Sequence, residues 1–268
     1  MSVAQFGQAI GRDAGMPPAF PRRDKERAAL TLLFRAGGRP SVADVMALLE
    51  VPDAGVVACT GHHSAPERGS MEIVMNGLVF ELRGLSPALP VAIQSASHAY
   101  GFSGTIPDEG LEAIELGVSG HVSEGSGLKP VVHEIFHLAA NLSMRLPPVA
   151  VIWAPARTLL ESTHFARIVY DWLAGGAFPA LGLSVLAVDS DGSIVSRGLA
   201  HFAGQEIRLE GRTGDAPAEA MRLATRAADW LVRNGPLDEP CRVPSGREML
   251  FAEPSRTGRH VWLWRDDA

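Results

Sequence analysis

Five successive apolar residues, Val149, Ala150, Val151, Ile152 and Trp153, follow directly on Pro147 and Pro148. The run is too short for a helix and offers no polar side to water, so it reads as a strand buried on both faces. Residues 128–144 before it have helical spacing and are stopped by the prolines, and residues 162–173 after it read as a second helix. A chain built around such a strand needs a sheet with cover packed on it.

The rest of the pattern agrees. Residues 28–34 form an apolar run of strand length, ended by Gly37, Gly38 and Pro40. Ser41 is a natural N-cap for a helix over 42–50, where Val42, Val45, Met46 and Leu49 repeat at helical spacing. Residues 55–58, 71–74 and 78–82 read as strands, the last two joined by a hairpin signal at Met75-Asn76-Gly77. Pro87 and Pro90 close this unit, and a loop rich in Gly and Ser runs to Gly110. Residues 113–122 read as a strand, Ser126 as a cap for the helix that follows, and 181–188, 193–202 and 206–209 as strands before a helix over 216–233. The expected class is α/β (α+β), a mixed sheet with packed helices. Residues 1–27, broken by Gly15, Pro17, Pro18 and Pro21, read as an arm or linker before a domain over 28–268. Similar element order suggests two β-α-β-β units within it, 28–105 and 106–268.

Composition limits the function classes. An apolar share of 46% in 268 residues suffices for a core without staples. A net charge of -6 argues against nucleic acid as a partner, since the densest basic cluster, Arg22-Arg23-Asp24-Lys25-Glu26-Arg27, is interrupted by acids. Cys59 and Cys241 are the two cysteines, which leaves no disulfide framework or CxxC site. No leader pattern and no membrane-length apolar run is present, so the expectation is a soluble cytoplasmic protein without a membrane partner.

One motif has chemistry behind it. His133-Glu134-Ile135-Phe136-His137 matches H-E-x-x-H, in which one helical turn stacks two imidazoles on a zinc ion and the Glu takes a proton from bound water. It resembles the zinc-metallopeptidase helix. Chance supplies roughly 0.02 such matches in a chain of this composition. At 100° per residue, Val131, Ile135, Leu138 and Leu142 form the core stripe, widened by Val132 and Ala139, and His133, His137 and Asn141 fall opposite. The histidines are thus expected towards solvent or a loop. A third ligand could come from Glu161, with His164 and Asp171 nearby in sequence, although Glu161 falls before its helix.

Weaker signals have plainer readings. Asp189-Ser190-Asp191-Gly192 lacks the glycine and glutamate positions of an EF-hand and reads as a hairpin turn. His62-His63 reads as an unassigned loop pair, and Cys59 as a buried thiol rather than a nucleophile beside them. In His260-Val261-Trp262-Leu263-Trp264, both tryptophans share one side of a terminal strand; core packing is expected over an aromatic platform. Phosphate-loop, dinucleotide and nucleophile-elbow motifs do not occur.

Several segments resemble the bacterial domain of unknown function family 4261. They are the opening Leu30-Thr31-Leu32-Leu33-Phe34 with its helix, Pro87-Ala88-Leu89-Pro90, residues 118–122, Ala150-Val151-Ile152-Trp153 with the helix before it, and Arg197-Gly198-Leu199-Ala200-His201-Phe202-Ala203-Gly204-Gln205-Glu206-Ile207. The resemblance spans most of the chain after Arg27; Ala203 stands where the pattern favours glycine. It implies a soluble α/β domain with no established activity and no obligatory zinc motif. The leading expectation is a non-catalytic module, without cofactor, that binds a protein or small molecule. The alternative is a zinc-dependent hydrolase with His133, His137 and Glu161 or His164 on the metal and Glu134 as general base.

Overall fold

The computed structural model describes residues 29–50, 59–107, 109–119, 125–212, 214 and 216–265. Its elements in chain order are β1 (Ala29–Arg35), α1 (Val42–Glu50), β2 (Cys59–Ala65), β3 (Ser70–Met75), β4 (Leu78–Arg83), β5 (His98–Tyr100) and β6 (Leu111–Val118). There follow α2 (Lys129–Arg145), β7 (Ala150–Trp153), β8 (Thr158–Glu161), α3 (Ser162–Leu173), α4 (Ala180–Leu183), β9 (Val185–Val188), β10 (Ile194–Arg197) and α5 (Ala200–Ala203). The chain closes with β11 (Glu206–Leu209), α6 (Pro217–Asn234), β12 (Cys241–Ser245), β13 (Glu248–Pro254) and β14 (His260–Arg265). They form two mixed sheets with packed helices, of eight strands in the order β2-β3-β4-β6-β1-β7-β8-β5 and six in the order β12-β13-β14-β11-β10-β9. Neighbours are antiparallel except β5 with β8 and β11 with β14.

The apolar run at 149–153 forms β7, with all four strand residues buried. It lies beside β1, near the centre of the large sheet. On one face, Leu30, Leu32 and Phe34 of β1 join Val131, Ile135 and Phe136 of α2 and Phe165 and Val169 of α3. On the other, Leu33, Ala113, Ala150, Ile152 and Leu159 gather under Val91 and Phe102 from the segment between β4 and β6. The small sheet differs. Ile207, Leu209, Val243, Leu250, Val261 and Leu263 turn inward to α6, whose Ala220, Ala224, Ala227 and Ala228 permit a close approach. Both layers meet in one core, where Phe202 lies 5.4 Å from Phe136, 5.8 Å from Trp153 and 4.8 Å from Phe178 between ring centroids.

Ser41 caps α1 as expected, in a reciprocal box: the Ser41 backbone N–H donates to Asp44 at 2.8 Å, and the Asp44 N–H returns to Ser41 Oγ at 3.2 Å. These bonds hold the Asp44 carboxyl below its usual range. Other boundaries differ from expectation. Ser126 does not cap α2; the helix starts from Leu128 without a side-chain cap, with Pro130 in its first turn. The strand expected over 193–202 stops at Arg197, because Gly198 turns the chain at φ 82° into the helical turn α5. Likewise 181–188 shortens to β9 behind the kinked turn α4. The supposed loop to Gly110 carries β5, and β8, β12 and β13 were not expected at all. The boundary at 105/106 runs through the large sheet, since β6 from the later part pairs with β1 and β4. The arm over 1–27 and the strand expected at 55–58 lie outside the described residues.

Candidate functional site

The H-E-x-x-H turn lies in the first half of α2, and its side chains go to three different neighbours. His133 is half-buried, edge-on to Trp172 of α3 at 5.0 Å between ring centroids. Burial, then the nearby Lys129 ammonium, lower its pKa. His137 faces Tyr170 of α3 at 6.3 Å. Asn141 continues the strip, accepting from the Tyr170 hydroxyl at 3.1 Å and donating to the His137 carbonyl at 3.0 Å. The strip expected to meet solvent is therefore the contact line with α3. Glu134 turns away, accepting at 2.9 Å from the Asn76 side chain in the β3–β4 hairpin.

Glu161 is the N-cap of α3, where it accepts from the backbone N–H groups of Thr163 at 3.0 Å and His164 at 2.7 Å. Both carboxylate oxygens are thereby engaged in satisfying helix donors. His164 Nδ1 lies 3.0 Å from Arg167, and burial ahead of that guanidinium lowers its pKa. Asp171 faces Arg167 at 4.0 Å. Among the described residues, no three His, Cys, Asp or Glu side chains gather where they would hold a metal ion. The side chains of Cys59, His62 and His63 are outside the described set.

The Asp189–Asp191 turn is a hairpin between β9 and β10, as read, and its carboxylates serve a neighbouring strand. Arg208 of β11 donates to Asp189 at 2.8 Å and to Asp191 at 2.6 Å. Backbone bonds from Ser193 and Ser190, together with Arg208, hold both carboxyls low, Asp191 at about 2. The pinned guanidinium lies over the Trp262 ring, 5.7 Å from its centroid.

Trp262 belongs to an open face of the six-stranded sheet. Val261 and Leu263 are fully buried against α6, so Trp262 and Trp264 stand on the opposite face of the sheet, and the expectation that they pack in the core is overturned. On that face the register sets Trp262 beside Glu253 and Arg208, Trp264 beside Phe251, and Met249 beside Pro244. Trp262 is 42% exposed, Met249 42% and Phe251 39%, with Phe251 and Trp264 rings 6.1 Å apart. β14 itself hides this polarity, because positions 261–264 are apolar on both sides. The signal sits in β11, where Glu206-Ile207-Arg208-Leu209 alternates cleanly and Arg208 is the register partner of Trp262.

At the start of β11, on the Arg208 side, Glu206 accounts for the late glycine-to-glutamate segment singled out in the sequence. Its carboxylate accepts from the backbone N–H groups of Gly198 at 2.8 Å, Leu199 at 3.2 Å and Ala200 at 3.1 Å, and from the Ser196 hydroxyl. His201, next in that turn, lies against Trp153 at 4.8 Å, and burial pushes its pKa down to about 4.

What fold and site define is a mixed α+β protein whose second sheet keeps one aromatic face open. No helix among the described residues is long and apolar enough to cross a membrane. No protein-family model matches the chain, and no curated protein or solved structure is similar enough to count as a match.

Proposed function

We propose that the protein is a non-catalytic binding module and that the outer face of the six-stranded sheet, around Trp262, Phe251 and Met249, receives its partner. One observation carries this reading: large aromatic side chains stand exposed on the face opposite α6, in a row along paired strands. Trp and Arg in such settings are the residues that anchor protein interfaces, and they supply contact area with little side-chain entropy to lose. Arg208, clamped by two carboxylates, holds the Trp262 ring from one side and so fixes the surface before any partner arrives. The H-E-x-x-H side chains favour this reading over hydrolysis, since His133, His137 and Glu134 go to three different neighbours and both oxygens of Glu161 are engaged in its helix cap. Membership of the family resembled, and a cytoplasmic location, belong to the same proposal.

The test is a photo-crosslink. With p-benzoylphenylalanine in place of Phe251 in the expressing cells, irradiation is expected to give a discrete adduct that disappears with Trp262→Ala. The same group at Leu89, which is 88% exposed on the cover of the large sheet, serves as control. Adducts from position 251 no different from those at 89 would overturn the proposal. Untagged protein is expected to carry substoichiometric zinc, indifferent to a His133→Ala, His137→Ala double substitution; one zinc per chain, lost in that variant, would restore the hydrolase.

A further inference from the structure

The charges on the open face are ordered, and their order narrows the partner. Across the strands, one row of the face runs Arg242 of β12, Phe251 of β13, Trp264 of β14 and Glu210 at the end of β11. Glu210 takes that place because its backbone N–H donates to the Leu263 carbonyl at 3.0 Å, which carries the parallel β11–β14 ladder one residue past Leu209. The row thus reads cation, aromatic, aromatic, anion. The neighbouring row runs in the opposite sense, Glu253, Trp262 and Arg208, with Asp189 and Asp191 already paired to that arginine. Asp238 and Arg256, again of opposite sign, lie beyond both rows in a depression of about 400 Å³ at the Glu253 end.

A row of aromatic rings between opposite charges carries no net charge and gives no preference for an acidic or a basic partner. It matches itself. When two such sheets pack face to face, a two-fold axis running along the strands exchanges the ends of the row, whereas an axis running along the row keeps each residue over its own copy. With the axis along the strands between β13 and β14, Phe251 lies over Trp264 of the partner subunit and Arg242 over Glu210 of the partner subunit. The overlap covers β12, β13, β14 and β11, and the β9–β10 hairpin with Asp189 and Asp191 stays outside it. Sheets packed in this way cross at about 30°, and at one and a half strand spacings from the axis, roughly 7 Å, the crossing moves Arg242 by about 4 Å, within reach of its side chain. Arg242 also has a contact within its own chain, and its five N–H donors serve both.

We infer that the protein forms a symmetric dimer through this face, with β12, β13, β14 and β11 of each chain packed on the same strands of a second copy. The inference rests on the reading of the face as a binding surface and names its partner. The overlap, four strands about 19 Å across and about 20 Å long, is roughly 400 Å² in projection, small against the accessible surface of about 800 Å² per partner in a stable complex. The dimer is therefore a weak one, with an expected Kd of about 10 µM, and dilute protein is a single chain.

The experiment is sedimentation velocity on the untagged full-length chain from about 1 to about 100 µM. Wild type is expected to pass from the mass of one chain to that of two across this range. Arg242→Glu and Glu210→Arg, each of which sets like charges against each other at both ends of the contact, are expected to weaken the dimer at least about tenfold. The double reversal restores opposite charges and is expected to return the affinity to within about threefold of wild type, a rescue that a generally altered surface would not give. Urea midpoints of the three variants at about 0.5 µM, where the chain is single, are expected to be unchanged and check the fold. A single-chain mass at every concentration, a dimer indifferent to the single reversals, or one not rescued by the double reversal would overturn the inference. If the chain stays single and position 251 crosslinks to another protein in cells, the second copy is wrong and the binding face stands; if the chain stays single and position 251 crosslinks to nothing, both fall.

Discussion

At its centre the eight-stranded sheet is covered on both faces, whereas the six-stranded sheet is covered on one, and each contains tryptophan in a strand. Trp153 of β7 is fully buried, its ring 4.9 Å from Phe136 and 4.8 Å from His201. Trp262 of β14 is 42% exposed and touches an arginine held by two aspartates. The same residue type therefore does two jobs, joining the layers of the core in one sheet and forming a surface in the other. What separates them is the parity of the strand and the cover behind it.

The largest test of that contrast is Trp153→Ala. Removing a fully enclosed indole at the junction is expected to cost about 3–5 kcal/mol of unfolding free energy in urea. A loss no larger than that of Trp262→Ala would erase the distinction between the sheets.

The junction is also expected to weaken in acid through His201. In the unfolded chain its imidazole takes up a proton near 6.5, in the folded protein only near about 4. Between those values the unfolded state binds more protons, so stability falls as pH drops; above the window both states are neutral, and below it both are charged. The full loss amounts to about 3 kcal/mol at 1.36 per pH unit. Unfolding free energies from pH 7.5 down to 4 would show it, and His201→Gln should flatten much of the slope. Burial lowers His98, His133 and His164 as well, so a smaller residual slope of the same sign is expected. An identical slope in wild type and His201→Gln would remove His201 from the account.

A smaller effect belongs to Glu206, which holds the amides where β10 turns into α5. Glu206→Ala leaves those donors without their acceptor and is expected to cost about 1–3 kcal/mol; Glu206→Gln, which keeps one acceptor oxygen, should cost less. Equal loss in both variants would assign the role to charge rather than to hydrogen bonding.

Much of the fold was legible because local rules and burial agreed. β7 showed it by having no polar face, α1 by its Ser41 cap, and α3 over the same residues read from spacing. The failures are equally physical. β5 is a three-residue edge strand held by pairing with β8 sixty residues further on, which no local pattern reveals, and β8 is a four-residue strand that returns along β7 after a short turn without a hairpin signal. On α2 the apolar stripe was read correctly, but a helix can bury two sides, and the second meets α3 through Trp172 and Tyr170, a partner that sequence spacing cannot name. The tryptophans of β14 were placed together correctly and given the wrong face. Every position from 261 to 264 is apolar, and only pairing with β11 breaks the tie.

That face is the central claim, and the most direct measurement of it compares two variants of β13 and β14 in urea. Leu263→Ala, on the α6 side, is expected to lose about 2–5 kcal/mol, and Trp262→Ala with Phe251→Ala, on the outer side, less than about 1 kcal/mol despite removing far more side chain. A loss from the aromatic pair as large as that from Leu263 would make the outer face a second core layer, and would contradict the binding surface proposed for it.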